Sequence, residues 1–296
     1  MKGLLLLLLM FACNVCFPQS EYYLTSGDGT RLCINANGSG KSLILLAGGP
    51  GLNATYLQGI VDSVSLHYNC IVPDGRGTGK SVLKTVDSAS LTMDRYLDDL
   101  EILRKHLNLE KLTLVGHSWG GMLAMEYASK YPERIEKMVL LAPGGPTTKF
   151  FAYFNDNIMS RLHEEDVAEL HHLNSVKQPA LAAMIPGYFF NRQRGLAFKK
   201  VMMSNPVFGQ EGVSKYTMAS YVADEGRRLK ALGNYKGPVY IIQGRQDPIG
   251  ESTDYEIKDY LPQTQIYFIE KSGHMPWLED PEPVKNFFML LNKLLG

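Results

Sequence analysis

Leu112-Thr113-Leu114-Val115-Gly116-His117-Ser118-Trp119-Gly120-Gly121-Met122 decides how this chain is to be read. A short β-favouring run enters a Gly-x-Ser-x-Gly turn. Met122, Leu123, Ala124, Met125 and Tyr127 then continue without a break until Pro132. The pattern is strand, tight turn, helix. A serine on such a turn has strained backbone, and small flanking residues let the chain pass close to itself. Its hydroxyl projects from the end of the sheet, and the N–H groups of the helix start face any negative charge that develops there. The spacing is that of a nucleophile elbow and makes Ser118 the candidate nucleophile. A plain glycine-rich loop is the competing reading of the pentapeptide alone; the strand before it and the helix after it oppose that reading.

A serine nucleophile needs a base, and the base needs an acid to orient it. Pro238-Val239-Tyr240-Ile241-Ile242 reads as a buried strand that breaks at Gly244-Arg245-Gln246-Asp247-Pro248. Asp247 therefore falls at the carboxyl end of a strand, where open α/β sheets place their ligands. Gln265-Ile266-Tyr267-Phe268-Ile269 is the next strand and ends at Ser272-Gly273-His274-Met275-Pro276, which puts His274 in the same kind of position. The order Ser118, Asp247, His274 is the one this elbow uses. His117 occupies the turn itself, where a side chain rarely faces the serine. His163, His171 and His172 are poorly spaced for a metal site.

An oxyanion on the acyl carbon needs two backbone donors. Trp119, the residue after the nucleophile, supplies one N–H. Ser42-Leu43-Ile44-Leu45-Leu46 is a buried strand running into Ala47-Gly48-Gly49-Pro50-Gly51, and Gly49 is the candidate for the second. Asp74-Gly75-Arg76-Gly77-Thr78-Gly79-Lys80-Ser81 suggests a phosphate loop, but the Gly-x4-Gly-Lys-Ser/Thr spacing is not met. It reads better as a structural turn near the pocket, held by Asp74 and Arg76.

These three glycine motifs resemble the α/β-hydrolase superfamily, and within it most closely the proline iminopeptidase family, which shows His-Gly-Gly-Pro-Gly, Asp-x-Arg-Gly-x-Gly-x-Ser and Gly-x-Ser-Trp-Gly-Gly. The resemblance covers about residues 25–145 and 235–296. It implies an α/β-hydrolase fold and an aminopeptidase that releases an N-terminal residue from short peptides. Ala47 stands where that family has His, and the family's amine-binding glutamates have no matched positions here.

The 296 residues carry 30 Lys plus Arg against 30 Asp plus Glu, so no global field steers nucleic acid toward the chain. Met1-Lys2-Gly3 is followed by six leucines and Met10-Phe11-Ala12, an apolar run of signal-peptide size that is too short for a membrane span. Residues 1–20 are read as a leader cleaved between Cys16 and Glu21, which implies a secreted or periplasmic protein with no stable membrane insertion. Lipid anchoring through Cys13 is the alternative. Cys33 and Cys70 then remain, in strands that the superfamily's strand order makes neighbours, and two buried free thiols are expected. Asn37-Gly38-Ser39 and Asn53-Ala54-Thr55 match glycosylation sequons, relevant only in a eukaryotic secretory host.

Strand and helix signals alternate from residue 21 to about 145, implying a mostly parallel sheet covered by helices on both faces. The next clear strand starts at Pro238. A stretch this long is an inserted domain, helical and rich in aromatics and Met. The expected organisation is a core over 21–145 and 236–296 with a helical cap over 146–235 roofing Ser118. If the substrate is a peptide, its ammonium needs carboxylates, and Glu211, Asp224 and Glu225 are the cap candidates, although Arg227, Arg228 and Lys230 lie close enough to pair with them. The chemistry needs no metal or organic cofactor. The substrate is a short peptide or a small molecule. A carboxylesterase or lactonase on small acyl substrates is the alternative enzyme, and a catalytically silent binding protein is the alternative from another class.

Overall fold

The computed structural model describes residues 19–176, 180–204 and 208–296. Among these, eight strands form one sheet: β1 (Gln19–Thr25), β2 (Arg31–Asn37), β3 (Ser42–Leu46), β4 (Asn69–Pro73), β5 (Leu112–His117), β6 (Ile135–Leu141), β7 (Val239–Gly244) and β8 (Gln265–Ile269). Their spatial order is β1-β2-β4-β3-β5-β6-β7-β8. β1 pairs antiparallel with β2, and β2 antiparallel with β4; every later pair is parallel. From β3 the chain winds outward to β4 and then back past β3 to β5. The direction of winding therefore reverses between β3 and β5, and their carboxyl ends diverge into the crevice where such sheets hold ligands.

The helices are α1 (Gln58–Val64), α2 (Met93–His106), α3 (Trp119–Lys130), α4 (Phe151–Met159), α5 (Glu164–Ser175), α6 (Leu181–Met184), α7 (Arg192–Ser204), α8 (Val213–Ala223), α9 (Glu225–Leu232), α10 (Glu251–Tyr260) and α11 (Pro281–Leu295). Side chains alternate across each strand, so β3 to β8 feed two cores, while β1 and β2 feed one. Ile44 and Leu46 of β3 join the layer with Leu97 and Leu100 of α2, Leu123 of α3 and Ile257 of α10. Leu43 and Leu45 face the other way, toward Ile60 and Val64 of α1 and Phe287 and Leu291 of α11. Both faces are covered here, which is why β5 is buried at all six positions, Thr113 and His117 included.

Residues 146–235, expected to form a cap, hold α4 to α9. The leader reading falls on residues 1–18, which lie outside the described residues, but Gln19 and Ser20 belong to β1, paired with Asn37 and Ala36. Their polar side chains give no strand signal; backbone pairing on the sheet edge places them. Cys33 and Cys70 are buried free thiols on neighbouring strands. Cys70 pairs opposite Asn37, four residues along β2 from Cys33, or about 13 Å at strand rise. Among the described residues no helix is long and apolar enough to cross a membrane.

The Asp74–Ser81 loop is a structural turn. An Asp74 carboxylate oxygen accepts the Lys80 N–H at 2.8 Å. Arg76 is fully buried and pairs with Asp28 at 2.7 Å and Asp99 at 2.6 Å, tying the β1–β2 turn to α2. Burial pushes the Asp99 carboxyl up to about 6, against the pull of the guanidinium.

Candidate active site

Ser118 stands between β5 and α3 with φ 53° and ψ −115°, a conformation costing about 1–3 kcal/mol that survives only where its surroundings impose it. The surroundings do so through the backbone. Ser118 N–H donates to the Leu141 carbonyl at 2.9 Å, and the Ser118 carbonyl accepts from Gly121 N–H at 3.0 Å. Close packing completes the turn: a Cβ on Gly120 would lie 2.3 Å from the Leu46 carbonyl oxygen, so β3 abuts the first turn of α3 directly. We expect Gly120→Ala to lose at least about 1–3 kcal/mol of stability in urea unfolding, the cost of overpacking against backbone that has no room to yield. A loss below a few tenths would mean that the elbow tolerates a methyl group there.

Asp247 follows β7 and His274 follows β8, both buried. His274 Nδ1 donates to an Asp247 carboxylate oxygen at 2.8 Å, and the other Asp247 oxygen accepts the Ile249 N–H at 2.8 Å. That contact fixes the ring and leaves Nε2 as the free nitrogen. His274 N–H donates to the Tyr188 carbonyl at 2.7 Å. Ser118 and His274 line one cavity of about 80 Å³ together with Gly49 and Tyr188. Trp119 N–H opens α3, where a helix has no internal acceptor for it.

The rest of the lining is largely apolar: Leu52, Leu181, Ile185, Phe198, Met202 and Met275. Among the described residues the cavity carries no carboxylate beyond the buried Asp247 behind His274. Glu211, Asp224 and Glu225 are not among its walls. Glu225 accepts the Thr148 N–H at 3.1 Å, Asp224 pairs with Arg227 at 3.0 Å, and Glu211 is exposed. His163, His171 and His172 sit at the start and on the surface of α5, and no metal-holding cluster of three gathers among the described residues.

Three further residues join the site: His117, which the sequence sets aside as rarely facing the serine but which ends β5 and lines the same cavity, and Tyr56 and Glu279. Tyr56 and His117 line the cavity, and their hydrogen bonds run from Gly48 to His274. Glu279 reads in sequence as an acid suiting the start of α11, but its carboxylate turns inward and accepts N–H bonds from Phe190 at 2.7 Å, Gly273 at 2.9 Å and Asn191 at 3.2 Å. Residues far apart in the chain make these contacts, so only the fold displays them.

A family model of the alpha/beta hydrolase fold matches residues 41–281. The proline iminopeptidase of Heyndrickxia coagulans is 25% identical over 275 residues, covering 88% of this chain and 93% of that one. A cis-3-alkyl-4-alkyloxetan-2-one decarboxylase of Shewanella oneidensis is 37% identical over 136 residues, covering 45% of this chain and only 42% of that relative. The crystal structure of a putative aryl esterase from Burkholderia cenocepacia superposes with a TM-score of 0.73 at 21% identity, covering 93% of this chain and 98% of the other.

Proposed function

The chain belongs to the α/β-hydrolase fold family and is a hydrolase, and from that premise we propose that it cleaves small neutral carboxylic esters or lactones through an acyl-enzyme on Ser118. The observation that carries this reading is a serine on a strained turn in an apolar cavity shared with a histidine whose Nδ1 is held by a buried aspartate. Ser118 Oγ attacks the acyl carbon and its proton passes to His274 Nε2. Asp247 holds the imidazole and stabilises the imidazolium. The oxyanion is received by the N–H groups of Gly49 and Trp119. Collapse expels the alcohol, which takes the proton from His274. Water then repeats the sequence and releases the acid.

The acyl group is small because the cavity is, apolar because the walls are, and uncharged because a desolvated ammonium would find no anion among the described lining residues. The aminopeptidase reading is favoured by one observation, the near full-length likeness to the Heyndrickxia coagulans relative. A matched panel separates the two. Short-chain aryl esters should be turned over with kcat/KM about 30- to 150-fold above aminoacyl aryl esters with the same leaving group, the loss expected when a cation contact of about 2–3 kcal/mol is left unmade. The reverse preference transfers the assignment to the aminopeptidase.

Export belongs to the same reading. The leucine run is removed and the mature chain starts between Cys16 and Glu21. Intact-mass measurement of protein from its native host checks this; a product retaining Met1 contradicts it.

A further inference from the structure

His117 is a buried titratable group beside the site that this chemistry leaves unused. Its Nε2 lies 3.2 Å from the His274 carbonyl oxygen, and its Nδ1 lies 2.7 Å from the Tyr56 hydroxyl. That hydroxyl also accepts the Gly48 N–H at 2.6 Å. A carbonyl can only accept, so Nε2 carries the hydrogen. A neutral imidazole then has a bare Nδ1, which accepts from Tyr56. Each donor and acceptor in the chain has a single assignment. Burial, reinforced by the neighbouring His274, holds the His117 pKa well below the usual histidine range and keeps the ring neutral. The ring is packed between His274, with centroids 4.7 Å apart, and Trp277 at 4.9 Å and perpendicular. Trp277 in turn donates its indole N–H to the Tyr56 carbonyl at 3.4 Å. A Cβ at Gly48 would come 2.8 Å from the Tyr56 hydroxyl and 3.0 Å from His117 Nδ1, so a side chain there would have to push this pair aside.

We propose that Tyr56 and His117 are positioning residues that lock the oxyanion loop after β3 and the base loop after β8 into one register around Ser118. The bridge runs from Gly48 N–H through Tyr56 and His117 to the His274 carbonyl. It acts one peptide away from the oxyanion donor, Gly49, at one end, and on the backbone of the base at the other. A shift of either loop is therefore felt by both. This inference rests on the acyl-transfer reading of Ser118, His274 and Gly49.

The test uses the purified protein with a short-chain aryl ester and a fluorophosphonate probe. Tyr56→Phe removes one oxygen atom and keeps the ring. Its kcat should fall about 100-fold, as expected when a reacting group is misplaced by about 1 Å, with KM nearly unchanged. His117→Leu should behave alike, and the double variant should be no worse than either single one, because both changes cut the same bridge. A merely structural role predicts losses that add and a changed KM. Nitrogen-15 NMR of histidine-labelled wild type supplies a readout that needs no variant: His117 should remain the neutral Nε2–H tautomer from about pH 5 to 8. Labelled wild type with Tyr56→Phe at full kcat, or His117 found as the Nδ1–H tautomer, overturns the bridge alone. Wild type that takes no label at Ser118 overturns the acyl-transfer reading, and the bridge with it.

Discussion

Ser118→Ala should abolish ester hydrolysis, lowering kcat by at least about 10⁴-fold while the protein unfolds at the same denaturant concentration as wild type. Removing one oxygen atom leaves the elbow's backbone bonds to Leu141 and Gly121 in place, so the fold has no reason to suffer. His274→Ala should cost a similar factor, and the double variant should match the worse single one, since nucleophile and base act as one unit. A fluorophosphonate should mark wild type once, on Ser118. Near wild-type turnover by Ser118→Ala would remove the proposed mechanism, whatever the substrate.

The second large effect concerns stability. Glu126 of α3 and Arg228 of α9 are both fully buried and meet at 2.6 Å. Arg228 also donates to the Pro146 carbonyl at 2.8 Å and lies 3.5 Å over the Tyr221 ring. Burial pushes the Glu126 carboxyl up, and the arginines around it oppose that. Glu126→Ala leaves a guanidinium in the interior with no anion and should cost about 3–5 kcal/mol in urea unfolding. Arg227, at 40% exposure, can turn to water; Arg228 cannot. The paired replacement Glu126→Met with Arg228→Met should recover much of the loss, because the penalty comes from the orphaned charge. A Glu126→Ala cost under 1 kcal/mol would mean that water reaches the pair.

What the sequence makes legible follows from the range over which each feature is encoded. Ser118, Asp247 and His274 are readable as strand-end residues because an apolar run and a glycine or proline break lie within a few positions of each. β3 and β8 fall where their residues predict for the same reason. Contacts across the chain leave no such trace. Tyr56 and His117 are separated by 61 positions and Glu279 and Phe190 by 89, and no periodicity links them. The cap carboxylates show the converse. Glu225 looks available in sequence, and the Thr148 N–H that engages it comes from 77 positions away. Polar side chains on this fold are claimed by whatever packs beside them, and packing is the part of the structure that local pattern does not carry.

The seam formed by Tyr188, His274 and Glu279 constrains how the site can breathe. The turn at residues 188–191 is stitched to the His274 loop by the base's own amide and by a carboxylate that grips amides from both sides. Lifting the roof along this edge would drag the imidazole away from Ser118 and disarm the enzyme at the moment of access. On the acyl-transfer reading, a seam that stays closed keeps the imidazole beside Ser118 while one ligand replaces another.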